Sequence, residues 1–120
     1  MFINLSNHPS TQWNESQISA ASIYGTIIDI DFPTINPSDS KETIATFADN
    51  LTNLIASKLP TAEVSAVHVM GESTLVYSIV RRLREAGITC VASTTERIKE
   101  QLPDGSFISR FEFKQFRQYE

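Results

Sequence analysis

"HVMGESTLVYSIV", residues 68–80, is the stretch that decides the fold of this chain. A run of β-type residues ends at Met70-Gly71, and Glu72-Ser73-Thr74 follow. An amphipathic helical pattern then starts at once, with Leu75, Val76, Ile79, Val80 and Leu83 inward and Arg81, Arg82 and Arg84 largely outward. Strand, glycine and helix in succession are the building unit of an α/β protein. The junction is either a tight turn or the floor of a site for an anionic ligand, because a helix start offers free N–H groups and a positive dipole end.

The pattern repeats outward from this stretch. Phe2-Ile3-Asn4-Leu5 reads as a first strand, closed by Ser6-Asn7-His8-Pro9-Ser10, where Pro9 cannot continue a central ladder. A helix is expected from between Ser10 and Asn14 to Tyr24, with Asn14 and Gln17 as a capping box and Gly25 as the C′ residue. Thr26–Ile30 is the second strand. Ile44, Phe47, Ala48, Leu51, Leu54 and Ile55 recur on one face of a second helix, started by Ser38 or Ser40 and stopped by Pro60. Ala66–Met70 is the third strand, and Ile88–Ala92, after the helix stop at Gly87, is the fourth. Leu102-Pro103-Asp104-Gly105 is a turn signal, so an arm from about Thr95 to Leu102 should return through the aromatic run Phe107–Phe116 as a hairpin. The order predicts one α/β domain over residues 1–120. It is a Rossmann-like three-layer sandwich, a mostly parallel sheet with helices on both faces and a C-terminal antiparallel hairpin over 95–120.

Composition sets the function classes. The chain has 120 residues, 41% of them hydrophobic, enough for one core. No apolar run approaches the ~20 residues of a membrane span. Met1-Phe2-Ile3-Asn4 lacks the basic start of a signal peptide, so a cytoplasmic location and no membrane partner are expected. Cys90 is the only cysteine and sits in an apolar strand, where it reads as an inert core residue. Residues 1–72 hold eight acids and two bases, whereas 73–120 hold six acids and eight bases. A net charge of −4 disfavours a long nucleic-acid duplex, yet the basic C-terminal half can supply the few donors a small anion needs.

In such sheets ligands gather at the carboxyl ends of the strands. Three of the four ends carry small polar residues, which points to a rim that includes Ser6, Asn7, His8 and Ser10, then Gly71, Glu72, Ser73 and Thr74, then Ser93, Thr94, Thr95 and Arg97. Gly71 permits close backbone approach, the serine and threonine hydroxyls suit phosphate oxygens, and Arg97 suits a bidentate grip. His8 is the leading titratable group on the rim. Glu72 repels phosphate and is expected to orient a neighbour or pair with an arginine. Each of these loops taken alone also reads as ordinary helix capping, and His68, inside a strand, reads as structural. There is no P-loop, GxGxxG or HExxH, and no serine sits in a nucleophile elbow, so no cofactor and no metal are expected.

"NLSNHPS", "MGES" and "STTER" at these three strand ends resemble the small stand-alone CRISPR-associated Rossmann-like proteins related to CARF sensor domains, over roughly residues 1–97. That resemblance implies a homodimer binding a cyclic oligoadenylate, with the four-membered cyclic tetra-adenylate first, across its two-fold axis. Some members of that group are ring nucleases of antiviral defence. Cleavage there implies attack by a ribose 2′-OH on its own phosphodiester to leave a 2′,3′-cyclic phosphate, with His8 and Arg97 as the catalytic candidates. Two other readings stay open: a non-catalytic module that sequesters the nucleotide, and an interaction protein without a ligand site.

Overall fold

The computed structural model describes residues 1–61 and 63–120. β1 (Phe2–Ser6) pairs in parallel with β2 (Ile27–Asp31) on one side and β3 (Ala66–Val69) on the other. β4 (Cys90–Gln101) joins β3 in parallel through Val67–Cys90 and His68–Val91 only, and β5 (Phe107–Gln118) runs antiparallel to β4, completing the order β2-β1-β3-β4-β5. The first crossover runs from β1 to β2 and the second from β2 past β1 to β3. Strand order therefore reverses between β1 and β3, which opens a crevice at their carboxyl ends.

Right-handed crossovers in opposite directions place the helices on opposite faces. α1 (Glu15–Ser22) lies on one face, while α2 (Lys41–Lys58) and α3 (Ser73–Glu85) pack together on the other. The Asn14 side chain accepts from Gln17 N–H to start α1, and Ser40 caps α2 through Thr43 N–H. Alternation sends Ile3, Leu5, Val67 and Val69 into the α2–α3 layer with Ile55, Leu75, Ile79 and Leu83, all fully buried. Each such side chain contributes about 1.5–3 kcal/mol by leaving water. The opposite face buries Phe2 and Ala66 with Trp13, Ala21 and Val91.

The first helix starts at the Asn14 cap, within the expected range, and a separate 3₁₀ turn over Ser10–Gln12 precedes it. One expectation needs correction. The polar run Ser93–Arg97 is not a loop after the fourth strand but lies inside β4, which continues unbroken to Gln101. Its polarity reflects a two-stranded arm with solvent on its faces. The ladder partners come from β5, and β-branched Thr94 and Thr95 suit that setting. The arm turns at Leu102–Ser106 as the sequence suggested, with Gly105 at φ 89°. Beyond Val91 no third strand among the described residues supports it, and the radius of gyration of 16.3 Å reflects this. A compact chain of this length would have about 13.6 Å.

A β-bulge in the arm sets what it presents. Thr94 pairs with Gln115 and Thr95 with Phe113, so Lys114 is an extra residue on β5. The bulge puts Phe113 and Phe116 on the same side despite their odd and even numbers, with ring centroids 4.9 Å apart. The Thr94 hydroxyl exchanges hydrogen bonds with the Gln115 backbone and pins the irregularity.

Candidate functional site

The register of the three parallel strands aligns one polar residue from each. Asp29 on β2 stands opposite Asn4 on β1, and Asn4 stands opposite His68 on β3. On β4, Ser93 is two residues beyond Val91, the partner of His68, and so faces the same way. The short α1 covers only part of this face, so the row ends in the crevice. Asn4 Nδ2 donates to Asp29 Oδ1 at 2.9 Å and to the His8 carbonyl at 3.0 Å. Asn4 Oδ1 accepts from Ser6 Oγ at 2.7 Å and lies 2.8 Å from His68 Nδ1. His68 Nε2 lies 3.2 Å from Ser93 Oγ, which also sits 2.9 Å from Met70 Sδ.

Burial and charge follow from this wiring. His68 is 2% exposed and is walled by the rings of Phe2, Trp13 and Phe116. Burial, assisted by the nearby His8, pushes its pKa down to about 4, so the imidazole is neutral at pH 7. Burial raises the Asp29 carboxyl, but donors from Asn4 and Ser10 outweigh it and hold the group below its ordinary value. Trp13 Nε1–H donates to the His8 carbonyl at 3.1 Å, which anchors the loop while the His8 side chain stays exposed. Ser6, Asn7, His8, His68, Gly71 and Ser93 line a crevice of about 360 Å³ together with Met70.

The model of the family described as the uncharacterized protein MJ1673 family matches residues 1–117, a span that takes in the crevice and the whole arm. The chain belongs to that family. No curated protein matches the chain. Because the MJ1673 family match runs through the hairpin, the arm is as much a part of the unit as the α/β body is.

Around this crevice the expected rim is only partly assembled. Ser6, Asn7, His8, Gly71 and Ser93 meet there. Ser10 is committed to Asp29, its Oγ donating to Oδ2 at 2.8 Å. Gly71 is needed for a different neighbour than expected: a Cβ there would lie 2.6 Å from the Phe32 ring, so the close approach serves packing. The start of α3 is also occupied from within. The Glu72 carboxylate accepts from Thr74 N–H and Leu75 N–H and from the Thr74 hydroxyl, which holds its pKa below the ordinary value. Those two amides, expected to face a phosphate, already have their anion. Ser73 and Thr74 line a separate groove against α2 with Tyr77, Arg81 and Arg82.

Arg97 stands away from the crevice lining but on its face. Ser93, Thr95, Arg97 and Lys99 alternate with Thr94, Glu96 and Ile98, so they share one side of β4. Four residues along a strand place Arg97 about 13 Å from Ser93. Its guanidinium is held by two hydrogen bonds to Ser109 Oγ, and Phe111, 68% exposed, stands directly opposite. Phe107 lies farther along the same side of β5 and is 66% exposed. A polar crevice thus continues into an open strip of arginine, lysine and aromatic rings. On the other side of the arm, Lys114 is neutralised by Glu96 and Glu112, and Arg110 lies near Glu100.

Sequence reasoning missed Asn4, Asp29 and His68 as a unit. The signal was present: each is a polar residue within an apolar strand, in FINLS, IIDID and AVHV.

Proposed function

We propose that this protein binds a cyclic oligoadenylate, cyclic tetra-adenylate first, and opens the ring without a metal as part of type III CRISPR signalling. The observation that carries the reading is the continuous face from the switch-point crevice to the Arg97–Phe111 pair. Phosphates need a few charge-assisted donors, and adenines need flat rings to stack on. Arg97 and Lys99 supply the former, and Phe107 and Phe111 the latter, on one side of the arm. A ring of several nucleotides is long enough to occupy both ends of this face.

Cleavage requires a ribose 2′-oxygen to attack its adjacent phosphorus as the P–O5′ bond breaks, leaving a 2′,3′-cyclic phosphate and a 5′-hydroxyl. Alignment of the three atoms provides most of the acceleration. Exposed His8 accepts the 2′ proton, and Arg97, about 13 Å from Ser93 along β4, grips another phosphate of the ring. A two-fold ligand is best met by two copies of one site. A second copy of the chain then brings both Arg97 side chains to a shared cleft.

Thermal-shift titration with cyclic and linear oligoadenylates, followed by chromatography of the incubated ligand with EDTA present, tests the reading. Stabilisation with EDTA-insensitive conversion to a linear 2′,3′-cyclic phosphate is expected. Binding without product would leave a sequestering module. No stabilisation by any oligoadenylate would refute both, and sedimentation as a monomer at micromolar concentration would remove the dimer.

A further inference from the structure

The row Asp29–Asn4–His68–Ser93 has a fixed polarity. The Asp29 carboxylate and the His8 carbonyl can only accept, so the Asn4 amide must present Nδ2 to both and Oδ1 to the other side. The reversed amide would set its oxygen against two acceptors. With Oδ1 facing His68 Nδ1 at 2.8 Å, Nδ1 must carry the hydrogen of the neutral ring. Nε2 is then a bare lone pair, and its one partner among the described residues, Ser93 Oγ at 3.2 Å, must donate to it. The alternative acceptor for that hydroxyl, Met70 Sδ, is also a wall of the crevice and the weaker of the two. Ser93 is half-buried, so its oxygen reaches the crevice while its hydrogen is turned away from it.

We infer that Ser93 presents only an acceptor to the crevice and accepts a hydrogen bond from a ribose 2′-hydroxyl, and that His68, Asn4 and Asp29 are positioning residues holding it so. This rests on the oligoadenylate reading above and corrects the expectation that the Ser93 hydroxyl binds a phosphate oxygen. Turning the hydroxyl round to donate to phosphate would leave His68 Nε2 buried among Phe2, Trp13 and Phe116 without a partner, which is costly. A 2′-hydroxyl donating to Ser93 finds an acceptor that a deoxyribose cannot use, so this contact selects ribose over deoxyribose, on a ribose other than the one whose 2′ proton His8 accepts.

The test pairs a ligand change with a protein change. Cyclic tetra-adenylate and its all-2′-deoxy analogue are titrated against wild type, Ser93→Ala and Ser93→Thr, on ice and within the mixing time. Wild type should prefer the ribose ring by about ten- to a hundredfold, the range open to two neutral hydrogen bonds, one to each copy of Ser93. Ser93→Ala should bind both rings with the affinity wild type shows for the deoxy ring, and Ser93→Thr should restore the preference. An unchanged preference in Ser93→Ala, or equal loss for both rings, overturns the role of Ser93 while leaving the oligoadenylate reading standing. Failure of wild type to bind either ring overturns that reading and this inference with it. Independently of ligand, ¹⁵N spectra of His68 should show protonated Nδ1 and bare Nε2 at pH 7, and the opposite tautomer would refute the polarity.

Discussion

Acidification should destabilise this protein through one side chain, His68. Its folded pKa of about 4 lies below the ordinary 6.5, because charging the ring would bury a cation among aromatic walls. Between these values the unfolded chain binds the proton and the folded one does not. The contribution is therefore fully present above pH 6.5 and is lost as pH falls towards 4. From pH 7 to pH 4.5, the two pKa values give a loss of about 2.4 kcal/mol. With an m-value of about 1.5 kcal/mol per M, the urea midpoint should fall by about 1.6 M. Asp29, Glu72 and Asp104 have carboxyl groups held below their ordinary values of 3.8 to 4.5, so their losses begin at lower pH. The assay is urea unfolding at pH 7, 6, 5 and 4.5 for wild type and His68→Gln, with His8→Ala as a control for the charge facing His68 across the crevice. The glutamine variant should be less stable at pH 7 and nearly flat over this window. If it loses as much as wild type, protonation of His68 does not govern the slope and the argument fails.

Gly71→Ala should cost ~1–3 kcal/mol through overpacking against Phe32, and combining it with Phe32→Ala should cost less than the sum of the single changes in a denaturant series. Additive losses would mean the ring is not the obstacle. Arg97→Ala should weaken oligoadenylate binding by about 1.5–3 kcal/mol in a titration without changing the sedimentation of the proposed dimer, whereas wild-type affinity would move Arg97 off the site. His8→Ala should slow ring opening more than it weakens binding, since a proton-transfer group acts mainly in the transition state. Equal loss of both would reduce His8 to shaping its loop.

Much of the fold was legible because periodicity and punctuation agreed over most of the chain. Apolar runs of strand length, the helical face from Ile44 to Ile55, the Asn14–Gln17 cap, and the glycines at 25, 87 and 105 at positive φ all point one way. The rim was harder to read, since Ser, Thr, Gly and Glu near a helix start serve capping and ligand binding with the same atoms. Only the tertiary structure shows that Glu72 fills the first turn of α3, that Ser10 belongs to Asp29, and that Phe32 lies against Gly71.

By itself, then, the sequence determined the α/β order, the helix caps and the hairpin turn, all set by contacts a few residues apart. Tertiary structure decided what depends on pairing at long range. That Asn4 lies beside both Asp29 and His68 follows from strand register, and residues 25 and 64 positions apart become neighbours only when β2 and β3 flank β1. That Ser93–Arg97 is strand and not loop depends on β5, whose ladder satisfies a backbone that water would otherwise have served. A local pattern fixes which face a side chain prefers, but only the register of the sheet fixes which side chains share it.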